Sequence, residues 1–238
     1  MLRLTDVHCH IIPGVDDGAK DLETARRMLR REYRDGVRRI IVTPHYRKNM
    51  FETSMETIRK QFGRLQAAAK EVGEDLQIEL GCEYHTHGEM AKCLAAGERP
   101  TMAGSSYVLV EFSSRHSFRV IWNQVCSLQL EGFWPIIAHI ERYPCLVENQ
   151  DYVRQLSDQG VMIQINAGSI LGEEGFSVKW FCRKLMKEDL IDLIGSDAHD
   201  LKDRKPNLGA CAAYVEKKMG RKYARKIFVT NPGRIRAD

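Results

Sequence analysis

The sequence predicts an α/β fold, a closed or nearly closed barrel of about seven strand–helix units, in a single domain that spans residues 1–238. Two observations predict it. Short apolar segments rich in β-branched residues alternate with longer amphipathic segments, which is typical of strand–helix units around a parallel sheet. About seven such units occur, and no glycine-rich nucleotide-binding loop follows the first strand. A barrel is therefore favoured over an open doubly wound sheet.

The order of elements follows from these patterns. Strands are expected at 5–10, 39–43, 77–83, 107–112, 134–139, 161–166 and 192–196. Helices are expected near 21–35, 54–73, 88–96, 117–131, 149–159, 177–188, 207–219 and 221–228. Asp21 stands where a helix-capping residue is expected, and Thr53-Ser-Met-Glu56 has the form of a capping box. The helix starts thus agree with the apolar periodicity.

Composition excludes several classes of protein. The net charge is +4, and the basic pairs are dispersed, as on solvated helix faces, so no nucleic-acid partner is expected. No secretory signal and no apolar run near the roughly 20 residues of a membrane span is present, so no membrane insertion is expected. The seven cysteines are odd in number and lack Cys-x-x-Cys spacing. These features favour a cytoplasmic protein without a disulfide framework or a thiolate zinc site.

Imidazoles and carboxylates fall at the ends of nearly all the predicted strands, where the active sites of α/β barrels lie. They are His8, His10, Asp16 and Asp17 at the first strand, His45 at the second, Glu83 at the third, Glu111 at the fourth, His139 at the fifth, and Asp197 and His199 at the seventh. A mixture of imidazole and carboxylate without thiolate suits Mn²⁺, Fe or Zn²⁺, and the ligands suffice for more than one ion. Their joint placement predicts a metal site.

Each motif alone has an ordinary interpretation. His8 and His10 can point to one face of a strand because they are two residues apart, yet an isolated His-x-His motif is more often incidental. Asp16-Asp17-Gly18 is otherwise a common turn. Glu111 lies in an apolar strand, where burial without a metal or an arginine would be costly. Three further histidines lack strand-end placement as a set, so surface or loop roles are expected for His85, His87 and His116.

Two arginines follow the predicted ligands closely. Arg142 lies three residues after His139, and Arg204 lies in the loop after His199. A guanidinium group matches phosphate oxygens, although without a metal site either residue would be interpreted as a surface arginine. A cysteine-based phosphatase would need a Cys-x5-Arg loop. Only Cys93 has an arginine at that spacing, and its loop has the pattern of a helix end.

The ordered set of motifs resembles the PHP (polymerase and histidinol phosphatase) superfamily. The motifs are His8-x-His10, the Asp17 turn, Thr43-Pro-His45, Gly81-Cys-Glu83, Val110-Glu-Phe112, Ala138-His-Ile-Glu-Arg-Tyr143 and Ser196-Asp-Ala-His199. More narrowly, Val15-Asp-Asp-Gly18, the segment 47–53 and Asn231-Pro-Gly-Arg-Ile235 are similar to bacterial manganese-dependent protein-tyrosine phosphatases of the CpsB/CapC/YwqE type. The resemblance extends essentially from end to end.

The resemblance implies a distorted TIM-like (β/α)7 barrel of PHP type and a site for up to three metal ions, with Mn²⁺ as the expected metal. It assigns His8, His10, Glu83 and Asp197 to one ion, Glu83, Glu111 and His139 to a second, and Asp17, His45 and His199 to a third. It also places Arg142 and Arg204 as catalytic residues that bind the substrate phosphate. None of these ligand positions is substituted, whereas Tyr84-His-Thr-His87 and Ser113-Ser-Arg-His116 depart from the usual pattern.

The activity implied is metal-dependent hydrolysis of protein phosphotyrosine. The implied substrate is a bacterial tyrosine kinase that regulates capsule or exopolysaccharide synthesis. Three alternatives stay open on the sequence. The first is a small-molecule phosphatase such as histidinol phosphatase, since the same metal ligands serve both. The second is a non-catalytic PHP binding module. The third, a metal-dependent amidohydrolase, ranks lower because no lysine suited to bridge metals lies at a strand end.

Overall fold

The computed structural model describes residues 2–237 and consists of parallel strands that alternate with helices. The strands are β1 (Leu4–Asp6), β2 (Val37–Val42), β3 (His45–Tyr46), β4 (Gln77–Leu80), β5 (Glu83–His85), β6 (Tyr107–Glu111), β7 (Trp134–Ile137), β8 (Met162–Asn166) and β9 (Leu193–Gly195). The helices are α1 (Leu22–Arg34), α2 (Met55–Val72), α3 (Met90–Ala95), α4 (Phe118–Leu130), α5 (Pro144–Glu148), α6 (Asp151–Asp158), α7 (Ala167–Leu171), α8 (Phe176–Lys187), α9 (Leu208–Met219) and α10 (Arg221–Arg225).

The strands form two parallel sheets that continue into each other. One sheet has the order β1-β2-β4 and the other β3-β5-β6-β7-β8-β9. β3 extends the line of β2 after Pro44, and β5 extends β4 after Cys82. The main-chain hydrogen bonds Gly81 N–H to Val42 O (2.8 Å) and Glu83 N–H to Pro44 O (3.1 Å) join these breaks. Parallel sheets need crossover helices, which explains why nearly every strand is followed by one.

The first and last strands meet and close the curled sheet. Cys9 forms a parallel bridge with Ala198 beyond the regular ends of β1 and β9. The N–H of Asp197 donates to His8 O at 2.8 Å, and the N–H of His10 donates to Ala198 O at 2.9 Å. The segments on either side of this closure carry four predicted metal ligands. The prediction of a distorted (β/α)7 barrel is confirmed, with irregular closure at the site itself.

Apolar side chains fill the space inside the sheet and the layer between the sheet and the helices. The inner cluster contains Val7, Ile41, Leu109, Ile136 and Leu193, all fully buried. Ile235, near the C-terminus, packs into the same cluster. Full burial of one such side chain stabilises the fold by about 1.5–3 kcal/mol. Among residues 2–237, no helix combines the length and the apolar content that a membrane crossing requires.

The residue that caps α1 is the one predicted from the sequence, whereas the residue that caps α2 is not. The Asp21 carboxylate caps α1 by accepting from the Thr24 N–H at 2.7 Å, as expected. The capping box predicted for Thr53 and Glu56 is wrong, because α2 is capped by Ser54, whose hydroxyl accepts from the Thr57 N–H. The Thr53 hydroxyl instead donates to Val15 O at 2.6 Å and ties this corner to the loop after β1.

Candidate metal centre

Glu83 lies at the centre of a buried group of imidazoles contributed by several strands. Its Oε2 atom is 3.1 Å from His8 Nε2, 3.1 Å from His10 Nε2 and 3.1 Å from His45 Nδ1. Its Oε1 atom is 2.8 Å from His139 Nε2. The carboxyl ends of neighbouring parallel strands meet at one edge, so residues far apart in the chain converge on this carboxylate.

Two further carboxylates extend the group on either side of the imidazoles. Asp17 Oδ1 is 3.5 Å from both His45 Nε2 and His199 Nε2. Asp197 Oδ1 is 3.5 Å from His8 Nε2 and 3.6 Å from His10 Nε2. The i, i+2 spacing of His8 and His10 brings their Nε2 atoms to 3.1 Å, which agrees with the expectation that both point to one place.

Around Glu83, three sets of donor atoms are compact enough to hold an ion, with all atoms of a set within 4.8 Å of one another. They are His8, His10, Glu83 and Asp197; His10, Asp17, His45 and His199; and His45, Glu83 and Glu111. The first set has the membership expected from the resemblance, and the second adds His10 to the expected three. In the third, His45 stands where His139 was expected, although His139 Nε2 lies 3.9 Å from Glu111 Oε1.

Both predicted arginines reach this group through Asp197. Arg142 Nη1 is 3.0 Å from Asp197 Oδ2, and its Nη2 is 2.9 Å from Glu174. Arg204 Nη2 donates to Asp197 Oδ1 at 2.8 Å. About a third of each arginine side chain is exposed, whereas Asp197 is buried. The two guanidinium groups therefore stand between the buried carboxylate and solvent, where an anionic substrate would arrive.

The backbone at the site is held in conformations that side chains rarely adopt. His139 has φ 31° and Asp197 has φ 53°, both in the left-handed region. Such positions cost on the order of 1–3 kcal/mol each and concentrate at functional sites. Two glycines make close approaches possible: a Cβ at Gly195 would lie 2.5 Å from His8 Cβ, and one at Gly18 would lie 2.0 Å from His10 O.

Two amides on β8 support the candidate ligands and were not singled out from the sequence. Gln164 Oε1 lies 3.2 Å from His8 Nδ1 and accepts from the His139 N–H at 2.8 Å. Asn166 Nδ2 donates to Asp197 Oδ2 at 2.7 Å. Both amides are buried. Because Oε1 can only accept, His8 carries its proton on Nδ1 and turns Nε2 towards Glu83. The signal in the sequence that could have identified Gln164 and Asn166 is their i, i+2 spacing in an otherwise apolar strand.

Asp16 and Tyr143 provide similar support on the other side of the group. Asp16 Oδ2 lies 2.9 Å from His10 Nδ1 and also accepts from the His45 N–H at 2.9 Å. The Tyr143 hydroxyl accepts from the Phe112 N–H and lies 3.3 Å from His139 Nδ1. Carboxylate or hydroxyl partners on the second ring nitrogen orient metal-binding histidines. Asp16 thus belongs behind the predicted ligands rather than among them.

The electrostatic environment keeps the central carboxylates ionised despite burial. Burial alone would raise the pKa of Glu83, but the neighbouring imidazoles of His8 and His45 and hydrogen bonds with His10 and His139 hold it well below the usual range. The pKa of Asp197 is likewise low, because His8 and the two arginines outweigh its burial. Burial would lower the pKa of His10, yet hydrogen bonds to Asp16 and Glu83 raise it to about 10. A buried carboxylate that stays ionised is prepared to bind a cation.

A second buried acidic group lies near β1 but has different neighbours. Asp6, Glu32 on α1 and Cys9 bring their donor atoms within 4.8 Å of one another. Asp6 Oδ1 accepts from the N–H groups of Ser196 and His8. Among residues 2–237, Asp6 Oδ2 and both oxygens of Glu32 have no hydrogen-bond donor. We name Asp6 and Glu32 the acid pair.

Two cavities flank the candidate metal centre. The larger, which we call the mouth cavity, has a volume of about 400 Å³ and is lined by Glu111, His139 and Arg142 together with Arg47, His85 and Arg115. The smaller, about 140 Å³, is lined by Arg142, Asp197 and Arg204 among others. Of the three histidines expected in surface or loop roles, His87, which hydrogen-bonds the Tyr84 hydroxyl, and His116 lie in loops. His85 is instead the last residue of β5 and lines the mouth cavity.

Comparison with known proteins identifies the family to which the chain belongs. The family described as "Capsular polysaccharide synthesis, CpsB/CapC" matches residues 4–236. The chain belongs to this family. It is 39% identical over 241 residues to "Tyrosine-protein phosphatase CpsB" of Streptococcus pneumoniae, with 99% of each chain covered. The resemblance predicted from the motifs is therefore confirmed.

Solved structures of CpsB/CapC relatives and of more distant proteins share the fold. A structure from work on YwqE of Bacillus subtilis and CpsB of Streptococcus pneumoniae, described as unique metal-dependent tyrosine phosphatases, is similar with a TM-score of 0.86 and 32% identity. It covers 93% of this chain and 90% of the other. Histidinol phosphate phosphatase from Lactococcus lactis, at 17% identity and a TM-score of 0.64 over 92% and 95% of the two chains, shows the shared fold alone.

Proposed function

We propose that this protein is a metal-dependent protein-tyrosine phosphatase whose ions are held at the candidate metal centre. The observation that carries the proposal is the convergence of four imidazoles on Glu83, with two arginines at the solvent side of the same group. The proposed ligands are His8, His10, Asp17, His45, Glu83, Glu111, His139, Asp197 and His199. The names of the CpsB and YwqE relatives support the activity.

The donor atoms fit divalent metal ions. Among residues 2–237, Glu83 Oε2, His45 Nδ1 and His199 Nε2 are buried without a hydrogen-bond partner of good geometry. Buried polar atoms without partners are rare in folded proteins, and a metal ion would satisfy all three. The donors are nitrogen and oxygen without thiolate, which supports Mn²⁺ and also suits Fe or Zn²⁺. Three compact sets support up to three ions.

The protein side chains have separable roles in the proposed reaction. Bound divalent ions would supply Lewis acidity towards the phosphoryl group and the attacking water. Arg142 and Arg204 would bind phosphoryl oxygens through charge-assisted hydrogen bonds and orient the group for in-line attack. Gln164 and Asn166 would keep His8, His139 and Asp197 in place while the substrate binds.

A cysteine nucleophile is not supported by the geometry. Cys9 and Cys82 adjoin candidate ligands in sequence, but both thiols are buried, and burial raises the pKa of each above its ordinary value. Cys93 packs at the end of α3, and burial likewise raises its pKa. A thiol needs a lowered pKa to act as a nucleophile at neutral pH. Hydrolysis would therefore use water.

The proposal also includes the substrate and the compartment of the protein in the cell. A chain of one domain over residues 1–238 would act on the phosphotyrosines of a bacterial tyrosine kinase that controls capsule or exopolysaccharide synthesis. The family description supports the link to capsular polysaccharide. All seven cysteines are free thiols, which supports a reducing compartment such as the cytoplasm.

The test begins with protein stripped of metal by a chelator and supplied again with Mn²⁺, Fe²⁺ or Zn²⁺ singly. We expect stripping to abolish hydrolysis of phosphotyrosine peptides and Mn²⁺ to restore it, with much lower rates on phosphoserine peptides. His139→Ala should stay inactive in every metal, whereas His87→Ala, which removes a histidine outside the donor sets, should respond as the wild type does. Full activity after complete metal removal would contradict the proposal. Faster turnover of histidinol phosphate would favour a small-molecule phosphatase instead.

A further inference from the structure

The mouth cavity adjoins the metal centre and offers a route by which a phosphotyrosyl side chain would approach it. Glu111, His139 and Arg142 form its inner wall, and its volume of about 400 Å³ lies within the range of small-molecule sites, about 300–1,000 Å³. The other cavity, which contains Arg204, holds only about 140 Å³. The phosphoryl group can lie between the two arginines, while the phenol ring and the adjoining peptide occupy the mouth cavity.

The outer wall of the mouth cavity carries positive charge without a matching acid. Arg47 and Arg115 line it with exposed side chains. Within residues 2–237 neither guanidinium forms an ion pair, in contrast to Arg142, which binds Asp197 and Glu174. Of the residues from 2 to 237, Glu111, a proposed metal ligand at the inner end, is the only acidic one in the cavity wall. The outer wall is therefore complementary to anions.

Both free arginines extend from ordered turns. The N–H of Arg47 donates to Phe51 O at 3.0 Å, and the N–H of Phe51 donates back to Arg47 O at 2.8 Å. Arg115 lies in a turn in which its N–H donates to the Ser113 hydroxyl and the His116 N–H donates to Ser113 O at 2.9 Å. Fixed backbones reduce the entropy lost when the side chains bind a ligand.

We propose that Arg47 and Arg115 form an anion subsite that binds a carboxylate or phosphate group on the substrate peptide next to the phosphotyrosine being hydrolysed. This inference rests on the proposed phosphatase function and adds a sequence preference to it. The subsite also gives a role to the loop 113–116, whose sequence departs from the usual family pattern, and to the segment after β3. A charge-assisted hydrogen bond between one of these exposed guanidinium groups and a substrate anion should contribute about three- to tenfold to kcat/KM per arginine.

The test compares three phosphotyrosine peptides whose neighbouring residues are neutral, glutamate, or a second phosphotyrosine. The quantity measured is the ratio of kcat/KM for each anionic peptide to kcat/KM for the neutral one. We expect a ratio of about ten or more for the wild type, decreasing with added salt. In Arg47→Gln/Arg115→Gln the ratio should approach one, and in Arg115→Glu it should fall below the wild-type value. The glutamate and phosphotyrosine arms show which anion is preferred.

Arg30→Gln provides the matched control. Arg30 is an exposed arginine on α1 in a separate cavity lined by Arg27, Arg31 and Arg34, and its removal should leave the ratio at the wild-type value. A wild-type ratio near one, or a ratio that falls in Arg30→Gln and not in the double variant, would overturn the subsite. These results differ from failure of the proposed function, in which the metal-loaded wild type would hydrolyse none of the three peptides.

Discussion

The candidate metal centre and the acid pair are both buried groups of ionisable side chains next to β1. The pKa values of their most buried carboxylates, however, are shifted in opposite directions. At the metal centre, the pKa values of Glu83 and Asp197 lie well below the ordinary range despite full burial. In the acid pair, burial raises the pKa of Asp6, and it raises that of Glu32 still further with the help of the Asp6 charge.

The difference between the two groups comes from the basic side chains around the carboxylates. Glu83 contacts four imidazoles, and Asp197 contacts two guanidinium groups. The Glu32 carboxyl faces Asp6 and Cys9, and within residues 2–237 neither oxygen has a hydrogen-bond donor. A proton shared between Glu32 and Asp6 satisfies that pair, whereas Glu83 and Asp197 stay ionised. Glu111, at the edge of the metal centre, is intermediate: burial and the charge of Glu83 raise its pKa to about 7. Donor atoms within reach of one another thus do not by themselves make a metal site.

The largest effect should come from removing the central charge of the metal centre. Glu83→Gln keeps the shape of the side chain but leaves four imidazoles without their common carboxylate. Because metal ions contribute several kcal/mol of transition-state stabilisation, we expect kcat/KM on a phosphotyrosine peptide to fall about a thousandfold or more. Metal content, measured by mass spectrometry, should fall in parallel. Glu32→Gln should retain both metal and activity, and a large activity loss in that variant would break the comparison.

A smaller effect should follow from removing support behind the ligands. Gln164→Ala leaves His8 Nδ1 and the His139 N–H without their shared acceptor, so both rings lose orientation. Loss of such outer partners typically costs about 10–100-fold in metal affinity or activity. Titration of the stripped protein with Mn²⁺ should show this weakening, and the deficit in kcat/KM should shrink at high Mn²⁺. Gln159→Ala, at an exposed glutamine bonded to Gln129, is the control and should bind as the wild type does.

The smallest effect concerns stability at the acid pair. Because the folded-state pKa of Glu32 is raised, the folded protein keeps a proton that the unfolded chain releases above a pH of about 4.3. The free energy of unfolding therefore decreases as pH rises from that value towards the folded pKa. Glu32→Gln mimics the protonated form at every pH, with its amide able to donate to Asp6 Oδ2.

The free energy of unfolding of Glu32→Gln should equal that of the wild type at pH 5 and exceed it at pH 8. We expect a gain of about 1 kcal/mol, or roughly 2–4 °C in Tm for a chain of this size. Thermal unfolding of the metal-free protein between pH 5 and 8 measures it. Glu71→Gln, at an exposed glutamate paired with Arg26, should show no such pH-dependent gain. Equal gains at both pH values would mean that Glu32 carries no extra proton.

The strands and the predicted ligands could be found from the sequence because their signals are local. Runs of β-branched residues predicted seven strands, each of which overlaps an observed one, but the short strand β3 was missed and β4 and β5 were predicted as one strand. Strand-end placement brought His8, Glu83 and Asp197 to one group. The role of Gln164 could not be found in this way, since its contact with His8 joins residues 156 positions apart. The left-handed backbone of His139 and Asp197 also has no local signal, because neither is a glycine.

The acid pair and the short helices α5 and α7 could not be predicted from the sequence either. Glu32 belongs to a helix rich in arginine, where a surface position is the ordinary interpretation, but it faces the sheet and is buried. α5 and α7 are only five residues long and too short for a periodic pattern. Both follow segments that carry His139 or Asn166, so they begin where the chain has to turn away from the site.

The barrel closes between His8–His10 and Asp197–Ala198, so the complete site can form only late in synthesis of the chain. These segments are almost at opposite ends of the chain, and their main-chain hydrogen bonds hold the histidines of the first against the aspartate of the second. During synthesis, most of the imidazoles leave the ribosome long before Asp197 and His199 do. A nascent chain shorter than about 200 residues lacks Asp197 and His199, so the two donor sets that contain them can be completed only after β9 has been synthesised.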